Sequence, residues 1–164
     1  MILALVVLIL GQDAVARGDL RKLDPAQVRL VVRPGSSNLL SDAAVRELRR
    51  WRGYLAIELR APVSRKEAAR LNRLPRFTAR IIEGSARDRS LRRIRTESVK
   101  SMPRTPLPVK ERPCSDATLQ GRSGADEVLV APSGIDSCIL DWLARRRACP
   151  FLGRLLHPAP RLRP

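Results

Sequence analysis

Shifting the sequence against itself by 23 residues superposes two stretches of it, and this constrains the fold more than any other feature. Leu40 falls on Val63, Ser41 on Ser64, Val45 on Ala68, Leu48 on Leu71, Trp51 on Leu74, Tyr54 on Phe77 and Ala56 on Ala79. A helix cap, an apolar helical face and a strand recur in phase, so residues 28–84 read as strand-helix units.

Local signals place the elements. Val28, Leu30, Val31 and Val32 are a β-rich apolar run that ends at Arg33, Pro34 and Gly35, which reads as a strand followed by a turn. Ser41 and Asp42 sit at an N-cap position before Ala44, Val45, Leu48 and Trp51, which share one helical face. Gly53 is expected to close that helix. A second strand is expected over residues 54–59, a second helix capped by Ser64 and ended by Pro75, and a third strand over residues 77–82. After Glu83 the pattern weakens, with Leu91 and Ile94 falling where Ala68 and Leu71 would project.

Leu39, Leu40, Ser41 and Asp42, followed by Leu48, Gly53 and Leu55, resemble the short degenerate leucine-rich-like repeats found in tandem in bacterial exported and surface proteins. The resemblance covers residues 28–84 and lacks the asparagine or cysteine that usually follows the strand. It implies an α/β fold, a short solenoid-like array whose strand face binds a protein or glycan. The residues by themselves also allow an ordinary α/β layer or the first βαβαβ piece of a barrel. A repeat cannot bury its own apolar face, and about three or more are needed for stability.

Residues 2–10 are unbroken apolar and lead through Gly11, Gln12 and Asp13 to Ala14, Val15 and Ala16. Nine residues are too few to span a bilayer, which takes about 20 in a helix. A short apolar run before a small-x-small triplet has the form of a signal peptide cut after Ala16, although no Lys or Arg precedes it. The expected address is therefore bacterial export, to the periplasm or beyond, with no transmembrane span. Retention as a membrane-associated segment or burial as a first strand are the alternatives. Cys114, Cys138 and Cys149 allow at most one intrachain disulfide. On one continuous helix Cys138 and Cys149 stand about 16 Å apart, too far to bridge; if the helix ends near Arg145 the chain can fold back, so this bridge depends on where the helix stops.

Thirty-two Lys and Arg against 16 Asp and Glu give a net charge of +16. Such a charge favours phosphates, anionic lipid or acidic glycans. It is not one tail, because residues 1–84 and 85–164 carry the same balance. Arginine-heavy composition alongside Pro and Ala is also what GC-rich coding produces, so charge alone assigns no ligand.

The second half changes character. Nine of the 13 prolines lie at or beyond Pro103, and residues 85–127 read as a basic, Pro-rich disordered linker. Order is expected to resume over 128–149, as a strand and an amphipathic helix with Ser133 and Asp136 at its start and Ile135, Cys138, Ile139, Trp142 and Leu143 on one face. Residues 150–164 read as a disordered tail. The domain plan is thus 1–16 signal peptide, 17–84 repeat region, linker, 128–149 and tail.

Catalytic inventory is poor. His157 is the sole histidine and lies next to Pro158, with no fixed carboxylate to orient it. Neither a nucleophile elbow nor a phosphate-binding glycine loop occurs, and no zinc-type spacing exists. No catalytic residue, cofactor or metal is assigned, and the reading leans away from an enzyme. Strand C-termini would bring Arg33, Arg60 and Glu83 to one rim, and Arg89, Arg92 and Arg93 form the densest basic cluster. These five arginines are the candidate anion contacts. The cluster lacks aromatics to stack bases, which argues against nucleic acid. The expected function is an exported, non-catalytic interaction scaffold for a protein or acidic glycan. The alternatives are a basic anionic-surface or nucleic-acid binder, a truncated βα enzyme, or a chain whose second half has no evolved function.

Overall fold

The computed structural model describes residues 6–101, 109–114, 117–121, 127–131 and 133–148. Within them β1 (Val6–Gly11), β2 (Val28–Arg33), β3 (Leu55–Arg60), β4 (Thr78–Glu83) and β5 (Ser98–Ser101) lie side by side in chain order, all parallel. Parallel neighbours require crossovers. These are α1 (Gln12–Ala16) with a 3-10 helix over Asp19–Lys22, then α2 (Asp42–Leu48), α3 (Arg65–Leu71) and a second 3-10 helix over Arg89–Arg93. The fold is therefore α/β, with five consecutive parallel strands alternating with helical segments. On the other side of β1 the sheet continues through β8 (Glu127–Ala131), parallel to it, and then through β7 (Ala117–Gly121) and β6 (Val109–Cys114), both antiparallel to their neighbours. Helix α4 (Ser137–Ala148) follows β8.

One aliphatic core lies between the sheet and these crossovers. Leu8, Leu10, Leu30, Val32, Ile57, Leu59 and Ile81 point into it from alternate strand positions, and Val15, Leu48, Leu71, Leu91, Ile94 and Ile139 come from the helical segments. All the helical segments among the described residues thus cover the same face of the sheet. The opposite face has only a small apolar patch of Ile9, Val31 and Ala56 with Val7 beside it.

The 23-residue phase is realised in the caps. Ser41 Oγ accepts from the Ala44 amide at 3.1 Å, and Ser64 forms a complete capping box with Glu67, which satisfies amides that a helix start leaves open. Leu48 and Leu71 occupy the same slot and are both fully buried. The alternation does not stop at Gly84. Leu91 and Ile94 anchor the second 3-10 helix in the core, so β5 can pair with β4 where a structureless linker is expected; β6 and β7 also fall inside the stretch 85–127. The tail 150–164 and His157 lie outside the described residues.

Two local expectations change. Gly53 is not a left-handed helix cap, since α2 ends at Leu48 and Gly53 has no positive φ. It is small because a Cβ there would stand 2.6 Å from the Pro25 carbonyl oxygen. The start of α4 is capped by Asp136, whose Oδ1 accepts from the Ile139 amide at 2.9 Å; Ser133 stands outside the turn and its carbonyl accepts from Arg17. The helical face expected from Ile135, Cys138, Ile139, Trp142 and Leu143 does pack on the core.

Amide side chains tie successive units together. Asn38, buried, donates from Nδ2 to the Arg60 carbonyl and accepts from the Arg60 amide, both at 2.7 Å. Asn72 does the same between the Arg93 carbonyl and the Arg95 amide, at 2.9 and 2.7 Å. Gln12 donates to the Pro34 carbonyl and accepts from the Ser41 amide. Backbone groups that have left the sheet ladder are satisfied in this way.

The described part of the run that has the form of a signal peptide, from Val6 onward, is β1 in the folded chain. A chain beginning at Arg17 would give β2 and β8 open edges. Its thermal unfolding is expected to be non-cooperative, whereas a melting temperature equal to that of the full chain would show that β1 is dispensable, as a removed leader must be. Leu48→Ala and Leu71→Ala should each cost about 2 to 5 kcal/mol, measured by urea denaturation.

Candidate functional site

The face of the sheet without helices is where functional side chains can be displayed, because β-strand side chains alternate and the inward set is already spent on the core. On β2 the outward residues are Arg29, Val31 and Arg33; on β4 they are Thr78, Arg80 and Ile82. Register aligns Glu58 with Arg80 and Arg80 with Lys100, and Arg33 reaches Glu58 from the other side. One row across the sheet therefore reads Arg33, Glu58, Arg80, Lys100, three cations with one anion. Nearer the strand starts, the Arg29 guanidinium sits 5.6 Å from the centre of the Tyr54 ring, within cation–π range, and Tyr54 is one of two large apolar side chains left exposed among the described residues.

Glu58 is 3% exposed, and a buried carboxylate needs a partner to offset its lost hydration. Arg33 supplies it through a two-pronged contact, Nε to Oε2 at 2.5 Å and Nη2 to Oε1 at 3.3 Å. The hydrogen bonds to Glu58 raise the Arg33 pKa above the ordinary guanidinium value, against the opposing effect of burial. Arg60 Nε lies 3.2 Å from Glu83 Oε2, and its Nη1 donates to the Gly35 carbonyl. The expected rim of Arg33, Arg60 and Glu83 is thus present as two cross-strand ion pairs, in which both arginines already have anions. Glu58 is the residue that sequence reasoning passed over; its signal was a single carboxylate inside the apolar run Leu55–Arg60.

Arg89, Arg92 and Arg93 are exposed on the second 3-10 helix. Three residues per turn place Arg89 and Arg92 on one side of it. Among the described residues no hydrogen bond or ion pair joins them to Arg33 or Arg60. Cys138 is disulfide-bonded. No group of three or more metal-ligating side chains occurs among the described residues, and no helix among them is long and apolar enough to cross a membrane.

Three carboxylates outside the strand face are held below the ordinary range. Glu47 is lowered first by its hydrogen bond from Arg21, with Nη2 to Oε1 at 3.0 Å and Arg50 on the same oxygen at 3.0 Å. Burial works to raise Glu67, and the hydrogen bonds from Ser64 and Asn38 outweigh it. Asp88 is lowered by the Ser90 hydrogen bonds at the start of the second 3-10 helix. No protein-family model, curated protein or solved structure matches the chain.

A carboxylate whose folded pKa lies below its unfolded value stabilises the fold above the unfolded pKa and loses that contribution as pH falls through the folded one. The melting temperature is therefore expected to be flat from about pH 7 to 5 and to fall below about pH 4, where carboxylates titrate. Glu67→Gln should shallow this fall in a pH series of thermal melts. An unchanged slope would show that Glu67 titrates alike in both states.

Proposed function

We propose that the chain is a non-catalytic interaction scaffold, exported from a bacterial cell, built as a short α/β solenoid whose helix-free sheet face meets a protein or an acidic glycan. One observation carries the reading. Among the described residues, β1 to β5 in chain order with their crossovers on one side leave the other side of the sheet free of helices, and the row Arg33, Glu58, Arg80, Lys100 gives that side an excess of positive charge. The solenoid reading is supported by strand starts at residues 6, 28, 55, 78 and 98 and by the amide side chains that join one unit to the next. The aligned cations favour a partner with complementary charge.

Export is supported by the apolar run before Ala14, Val15 and Ala16 and by the disulfide at Cys138, which persists in oxidising compartments. Export that retains the run leaves β1 in place.

Heparin-affinity chromatography with a salt gradient tests the face. Arg80→Glu combined with Lys100→Glu should elute at clearly lower salt than Arg46→Glu combined with Arg49→Glu, which removes the same charge from the helical side. Equal shifts from the two pairs would mean that net charge, not the sheet face, governs retention.

A further inference from the structure

Arg33 and Arg60 end their strands; at the opposite end of the sheet, the segments feeding β4 and β5 run side by side and are locked to each other. The Glu97 amide donates to the Phe77 carbonyl at 2.9 Å, and the Thr96 hydroxyl accepts from the Ala79 amide at 3.2 Å while lying 2.7 and 2.9 Å from the Phe77 and Ser98 carbonyls. Asn72 holds the Arg95 amide. A shallow depression of about 290 Å³, wide open to solvent, lies here, lined by Arg76, Arg95, Thr96 and Glu97. Its backbone is thus fixed on both sides, so a ligand would meet a wall already in place.

The chemistry of the lining is unspent. Arg33 and Arg60 have Glu58 and Glu83 as partners, whereas among the described residues Arg76, Arg95 and Glu97 take part in no ion pair and are exposed. The Thr96 proton is already claimed by backbone carbonyls. Two guanidinium groups are therefore the donors, suited to an anionic group with several oxygens, and the Glu97 carboxylate is the acceptor. A bare anion would be opposed by Glu97. An anion that carries a hydroxyl beside it satisfies all three groups, and no aromatic ring lines the depression to stack a base.

We propose that this depression is a subsite for an acidic sugar, its sulfate or phosphate ester held by Arg76 and Arg95 and a neighbouring hydroxyl donating to Glu97. The glycan class rests on the scaffold reading above. Isothermal titration of the full chain at fixed ionic strength, with inorganic sulfate, galactose 6-sulfate and a pentaglutamate peptide, tests it. Galactose 6-sulfate should bind about tenfold more tightly than sulfate, the size of one charge-assisted hydrogen bond. Arg76→Gln with Arg95→Gln should abolish both, with the melting temperature unchanged because these side chains are exposed. Glu97→Ala should strengthen sulfate and erase the advantage of the sugar. Undiminished sulfate and sugar binding in the Arg76→Gln, Arg95→Gln chain would overturn the proposal, as would equal effects of Glu97→Ala on both ligands or tighter binding of pentaglutamate than of the sugar ester. The Arg80→Glu, Lys100→Glu chain separates the two readings: if it keeps its heparin retention and still binds galactose 6-sulfate, the sheet-face reading fails and the subsite stands.

Discussion

Everything else in this protein hangs on β1, a strand that pairs in parallel on both sides, with β2 along Val6 to Gly11 and with β8 along Val6 to Leu10. Only an unbroken apolar strand can fill that place, because both of its faces are covered. Leu8 and Leu10 enter the helix-side core and Ile9 the patch beneath. The segments that follow β8 are joined to the first unit by polar contacts as well: Asp19 accepts from the Ile135 amide at 3.1 Å, and Lys22 donates to the Ile135 carbonyl at 3.3 Å. Residues more than a hundred positions apart thereby become neighbours.

The small size of each unit creates a second demand. Helices of seven residues are too short to be stable alone, so α2 and α3 persist because their apolar faces are buried and their first turns are capped. The loops between elements run close to one another, with a Cβ at Gly84 set to stand 2.5 Å from the Ala61 carbonyl oxygen and φ there at 84°. Close approach strips water from backbone groups, and the side-chain amides of Gln12, Asn38 and Asn72 take its place.

Charge is distributed by the same geometry. Arginines at strand ends and on the sheet face stand next to carboxylates that must be neutralised, so Arg33 is consumed by Glu58 and Arg60 by Glu83. Among the described residues Arg76 and Arg95, like Arg89, Arg92 and Arg93, are exposed and take part in no ion pair.

Strand, helix and cap positions between residues 28 and 84 were legible because they depend on neighbours within a few positions. The apolar run at Val28, the serines at 41 and 64, and the slot shared by Leu48 and Leu71 need only local periodicity and capping chemistry. Whether the apolar run serves as leader or strand is not a local property, since its composition suits both, and only pairing with β2 and β8 puts Val6 to Leu10 inside a sheet. Tertiary structure alone decided that Gly53 answers to Pro25, that Asn38 serves Arg60, and that Glu58 takes Arg33. In each case the deciding partner lies more than 20 residues away, beyond the reach of periodicity and caps.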